Sequence, residues 1–143
     1  MILDRNLRVS NAQALTTTAF STDTIDLLQA RDIGEGERLF FEFDVNTALT
    51  GGTSVTFEIV TSANANLSSP TVIAASAAIV AATLVAGYRL LVAIPPVLTS
   101  LGQRYLGVRY TIAGTFGAGT VTANVVKDMS DPLKFYPSGF AIS

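Results

Sequence analysis

The chain has 143 residues, 49% hydrophobic and only 14% charged, and its 9 basic and 11 acidic side chains leave a formal net charge of −2. With no Cys and no His, disulfides, thiolate metal sites, thiol nucleophiles, imidazole bases and Ser-His triads are all excluded. The slight acidic excess speaks against nucleic acid, which demands clustered Lys and Arg.

The length suits one domain, large enough to bury a core without staples. A mean hydropathy of +0.45 with so little charge then leaves a surface to be explained. It could belong to a membrane protein, be polar but uncharged, or be covered by a partner.

Along the chain, Met1–Gln13 carries Ile2, Leu3, Leu7 and Val9 without a clean period and reads as an N-terminal arm. It has no basic segment followed by an apolar run, so no signal peptide is expected. Leu27–Asp32 could make one helical turn. Gly34-Glu35-Gly36 has the look of a phosphate-binding loop, but no β-α unit follows, so it reads as a turn before a strand.

From there period-2 alternation recurs. Leu39, Phe41, Phe43 and Val45 form one apolar face, and Val55, Phe57 and Ile59 another. Tyr88, Leu90, Val92 and Ile94, then Leu106, Val108, Tyr110 and Ile112, then Val121, Ala123 and Val125 repeat the pattern. Turn residues separate them at Thr50-Gly51-Gly52, Pro95-Pro96, Gly114 and Gly117-Ala118-Gly119.

The charge-free interval between Glu58 and Arg89 raises the question of a membrane span at Thr71–Tyr88. Its Ala- and Thr-rich make-up, its lack of preceding Lys or Arg, and its Ser68-Ser69-Pro70 and Ala86-Gly87 brackets argue against one. We read Ala63–Leu67 as a loop crossing between sheets, Thr71–Ser76 as a strand, and Ala81–Gly87 as the connection into the next strand. The whole pattern predicts an all-β jelly-roll sandwich of two antiparallel sheets with extended N- and C-terminal arms. Phe41, Phe43, Phe57 and Tyr110 are its expected core.

One constellation invites a chemical reading. If Leu39–Val45 and Val55–Thr61 form a hairpin, Glu42 faces Glu58, with Asp44 beside them and Arg89 and Arg109 on the same outer surface. Like charges directly opposite need a cation between them. Two carboxylates about 5–10 Å apart could serve glycoside hydrolysis. An outer-sheet salt-bridge cluster of Glu42, Glu58, Arg89 and Arg109 is the plainer reading, because the Trp platforms common in sugar sites are absent. Asp128-Met129-Ser130-Asp131 lacks Ca²⁺-loop spacing and reads as an exit turn. No catalytic residue, cofactor or metal site is expected. Pro132–Ser143 is a Pro-containing tail with Phe135, Tyr136, Phe140 and Ile142; fully stretched it would reach up to ~40 Å. It either folds over its own sandwich or docks on a neighbour.

The opening MILD, STDTIDL (Ser21–Leu27), RDIGEGE (Arg31–Glu37), LSSPTVI (Leu67–Ile73), AGYRL (Ala86–Leu90) and the stretch Arg104–Asp128 together resemble the capsid cement, or decoration, proteins of short-tailed bacteriophages of the Bordetella-phage type. The resemblance covers about Met1–Asp128, which sets a jelly-roll domain at 1–128, including the N-terminal arm, and a C-terminal extension at 129–143. It implies a non-enzymatic virion protein on the outside of an icosahedral head, made in the host cytoplasm. There it would bridge major capsid protein subunits and stabilise the expanded capsid. It also implies self-association, with a homodimer the first choice and a homotrimer the second, and neither nucleic acid nor membrane as partner. The contact residues expected on that basis are Ile2, Leu3, Leu7, Arg8, Phe135, Tyr136 and Phe140. A β-sandwich module that binds carbohydrate or another surface is the alternative.

Overall fold

Alternating apolar side chains can be buried on one side only if two sheets close over each other, and the chain does this in a wrapped order. The computed structural model describes residues 3–30, 38–95 and 103–127. Its strands are β1 (Arg8–Ala14), β2 (Ala19–Phe20), β3 (Ile25–Asp26), β4 (Phe40–Thr50), β5 (Ser54–Ser62), β6 (Thr71–Ala75), β7 (Ile79–Val80), β8 (Arg89–Ala93), β9 (Tyr105–Ala113) and β10 (Ala118–Val126). Every pairing is antiparallel. The first sheet runs β1-β10-β4-β8. In the second, β9 and β5 lie at the centre, β2 and β3 share the outer edge of β9, and β6 and β7 share the outer edge of β5.

Counting β2/β3 and β6/β7 as one broken strand each, the sheets contain strands first-eighth-third-sixth and second-seventh-fourth-fifth. That is jelly-roll wrapping, in which nearly every connection passes from one sheet to the other. It corrects two of the sequence expectations. β4 and β5 do not form a hairpin, because β4 is already flanked by β10 and β8 while β5 pairs with β9, β6 and β7. The turn at Gly51, whose φ of +96° disfavours a side chain, carries the chain from one sheet to the other. Conversely, the 63–70 segment does not cross between sheets, since β5 and β6 are neighbours in the second sheet.

The core lies between the two inner faces. Phe41, Phe43, Val45, Val55, Phe57, Ile59, Val108, Tyr110 and Val121 are all at most 1% exposed. The Phe43 and Phe57 rings meet across the sandwich at 4.9 Å, and Tyr110 stands edge-on to Phe57 at 5.9 Å. Each such ring contributes about 1.5–3 kcal/mol through burial. A smaller apolar layer forms outside the second sheet. Leu67, fully buried, sits over Gly107 of β9, where a Cβ would lie 2.5 Å from Leu67 Cδ1. Val60, the cross-strand partner of Gly107, is buried as well.

The N-terminal arm is partly a strand. Arg8–Ala14 forms the edge of the first sheet with Val9 buried, although two register irregularities and Ala12 at φ +46° obscure its period. Residues 27–30 follow β3 as a bend rather than a helical turn. Most of the membrane candidate is β6, β7 and a 3₁₀ turn at Ala81–Thr83. Among the described residues no helix is long and apolar enough to cross a membrane.

Candidate functional site

Strand alternation puts Glu42 and Glu58 on opposite sides of the molecule. Phe41 and Phe43 turn one face of β4 into the core and Phe57 and Ile59 do so for β5, so each glutamate points out of a different sheet. The proposed face-to-face carboxylate pair is therefore corrected, and with it the two-carboxylate geometry for glycoside hydrolysis. The four-residue cluster divides into two separate ion pairs.

On the first sheet, Asp44 lies directly across from Arg89, and Glu42 across from Leu91 on one side and Asn124 on the other. Arg89 Nε stands 3.6 Å from Glu42 Oε1 and 3.7 Å from Asp44 Oδ1. Glu42 is only 1% exposed, and neither of its carboxylate oxygens accepts a hydrogen bond from the described residues; the same holds for the buried Asn124 Oδ1. Burial raises the Glu42 carboxyl above its usual range, with Arg89 opposing and Asp44 reinforcing the shift. Such a group is a destabilising element at neutral pH.

On the second sheet the balance is reversed. Glu58 and Arg109 are direct cross-strand partners, and Glu58 Oε2 accepts hydrogen bonds from Arg109 Nε and, at 2.7 Å, from Thr111 Oγ1. Burial works against ionisation here too. The hydrogen bonds from Arg109 and Thr111 outweigh it and hold the Glu58 carboxyl below its usual range. A third pair closes the end of β3. Arg104 donates to both Asp26 oxygens at 2.8 and 2.7 Å, and the Leu28 N–H also donates to Asp26 Oδ1 at 2.7 Å. The Arg104 bonds chiefly lower the Asp26 carboxyl, to about 2. The Glu58 and Asp26 pairs satisfy their charge locally through hydrogen bonds from arginines, whereas Glu42 has Arg89 only at 3.6 Å. Among the described residues, no group of three or more Asp or Glu side chains is placed to hold a metal ion.

The expected contact residues fare differently. Leu3 is exposed at 44%, while Leu7 packs partly against the core and Arg8 is half-buried opposite Asn124. Ile2, Phe135, Tyr136 and Phe140 lie outside the described residues, as do Gly34–Gly36, Asp128 and Asp131. Sequence reasoning missed a set of exposed apolar side chains, Leu28, Val72, Val80 and Val85. Three of them fall within the charge-free interval, which was the available signal.

A family model described as Bbp16 matches residues 9–125, from the second residue of β1 to the penultimate residue of β10. The chain belongs to the Bbp16 family. The family's name points to a Bordetella phage protein, and its match spans the jelly roll just described. No curated protein matches the chain.

Proposed function

We propose that this Bbp16-family chain is a capsid cement protein, which binds the outside of an icosahedral phage head, bridges major capsid protein subunits and stabilises the expanded shell. The observation that carries the reading is the match of a phage-related family to the entire described sandwich. The surface chemistry supports it. The glutamates considered for a reaction centre are each paired with an arginine on opposite faces, which supports a reading of action by contact. A shell under outward pressure from packed DNA is held by buried contact area. A charge-poor sandwich that touches two or more subunits adds avidity to individually modest contacts.

The direct test is co-sedimentation of the purified protein with expanded heads and with procapsids. Retention on expanded heads, together with a higher temperature for their DNA release, is the expected result. Absence of binding to expanded heads overturns the reading. Monomeric binding to a glycan array with no affinity for heads would replace it with the surface-binding module.

A further inference from the structure

Among the described residues, Ala12, Leu28, Leu67 and Ser69 have left-handed backbone without being glycine, at φ +46°, +68°, +56° and +50°. At such a φ the Cβ crowds a backbone carbonyl, so the conformation is costly for a large apolar residue and suits Gly or Asn. Strain of this kind persists only where the surroundings offset it, and it gathers at functional sites.

The two leucines differ in what they gain from it. Leu67 is fully buried over Gly107, and that burial offsets its strain. Leu28 has the same backbone conformation but is 71% exposed, more than any other large apolar side chain among the described residues. An exposed leucine is ordinary in itself. A leucine with strained backbone whose side chain gains nothing from the fold is not.

The loop around Leu28 is braced. Leu27 turns inward against the core, and its N–H donates to the Arg104 carbonyl at 2.9 Å. The Leu28 N–H donates to Asp26 Oδ1 at 2.7 Å. Asp26 is held in turn by both bonds from Arg104, whose guanidinium lies 5.0 Å from the centre of the Tyr105 ring. Leu28 therefore projects as a fixed apolar knob, and the two charges beside it neutralise each other.

We propose that Leu28 is a docking knob that seats in an apolar, uncharged socket on the major capsid protein. The inference rests on the cement reading for the identity of the partner, and it names the residue that makes the contact. A braced loop loses little freedom on binding, which favours affinity. The socket is apolar because the side chain offers no polar atom, and uncharged because Asp26 and Arg104 are already paired. The shell is the occupant rather than another copy. A knob that entered a socket on its own kind would make a head-to-tail contact, which continues into rings or filaments.

The experiment compares Leu28→Asn with wild type in the full chain. Asn accepts the left-handed backbone and removes the apolar side chain. The free variant is expected to melt a few degrees above wild type, since strain is relieved and little burial is lost. Its affinity for expanded heads, measured by co-sedimentation, is expected to fall at least about tenfold. A leucine kept only for the fold would lose stability on replacement, so opposite movement of the two readouts marks a docking residue. Val85→Asn, the same change at another exposed apolar side chain, should bind heads like wild type. A Leu28→Asn protein that is no more stable, that binds heads as tightly as wild type, or that loses no more affinity than Val85→Asn overturns the proposal. So does a change in the molar mass of the free protein by light scattering, which would mean that the knob meets a second copy. Failure of wild type to bind heads sinks the cement reading and the knob together; equal binding by wild type and Leu28→Asn sinks the knob alone.

Discussion

The Tyr110 hydroxyl donates a 2.7 Å hydrogen bond to Ser10 Oγ, tying β9 of one sheet to β1 of the other inside the core. The chain of bonds continues. Ser10 Oγ donates to Gln13 Oε1 at 2.8 Å, and Gln13 Nε2 donates to the Phe20 carbonyl on β2 at 2.7 Å. One polar thread thus laces the edge where the two sheets meet, and burial, against the opposing effect of the bond to Ser10, keeps the Tyr110 phenol protonated well into the alkaline range.

Tyr110→Phe should therefore destabilise the fold by about 1–2 kcal/mol, the range for a buried hydrogen bond lost with one partner left behind. Ser10→Ala should cost a similar amount. The two losses should not add, because both remove the same bond. Urea unfolding of the two single variants and the double variant measures the coupling. Full additivity would mean that the bond contributes nothing.

The contact between Leu67 and Gly107 yields a second prediction. Gly107→Ala puts a methyl group into Leu67 and should cost about 1–3 kcal/mol by overpacking. Leu67→Ala should cost about 2–5 kcal/mol by leaving a cavity. In the Leu67→Ala background, however, the cost of Gly107→Ala should shrink to what the 3.0 Å approach to Ser21 Oγ leaves, since the methyl then fills vacated space on the Leu67 side. Thermal unfolding of the four proteins decides it, and an undiminished penalty in that background would contradict the packing.

These two examples show why the outline of the fold was legible and its wiring was not. Period-2 alternation tells which face of a strand is buried, and it placed Phe41, Phe43, Phe57 and Tyr110 in the core. It does not tell which strands are neighbours. Glu42 and Glu58 both alternate away from phenylalanines, so a hairpin between their strands looked natural. Only the wrapping of β10 and β8 around β4 separates them. The first three strands escaped detection because β1 is irregular at Ala12 and β2 and β3 are too short to show a period. Leu67 looked like a loop residue, yet Gly107, distant in sequence, makes the space that buries it. Glu42, Glu58, Arg89 and Arg109 were legible as charged outer-face residues, but not as two pairs on opposite surfaces.

Glu58 should contribute to acid sensitivity. Its carboxyl is lowered in the folded protein relative to the unfolded chain, so the unfolded state takes up the proton first as pH falls. The stabilisation is complete above the ordinary carboxylate range and is lost as pH drops through the folded value. Glu58→Gln should be less stable than wild type at neutral pH, and the difference should shrink on acidification. Melting temperatures across that range test it; a gap that stays constant would show that the bonds from Arg109 and Thr111 do not favour the ionised form.

Glu42 should behave in the opposite sense. Its carboxyl is raised by burial, so the folded state takes up the proton before the unfolded chain does. Ionised Glu42 opposes folding at neutral pH, and this opposition fades as pH falls through the folded value. Glu42→Gln keeps the shape, removes the charge and supplies an amide donor beside Asn124, whose Oδ1 has no hydrogen-bond partner among the described residues. Arg89 still has Asp44 at 3.7 Å. The variant should therefore melt above wild type at neutral pH, by a few degrees for a domain of this size if it gains about 1 kcal/mol. The two curves should converge in acid. A Glu42→Gln protein that melts below wild type at neutral pH would mean that the ion pair with Arg89 outweighs the burial of the carboxylate.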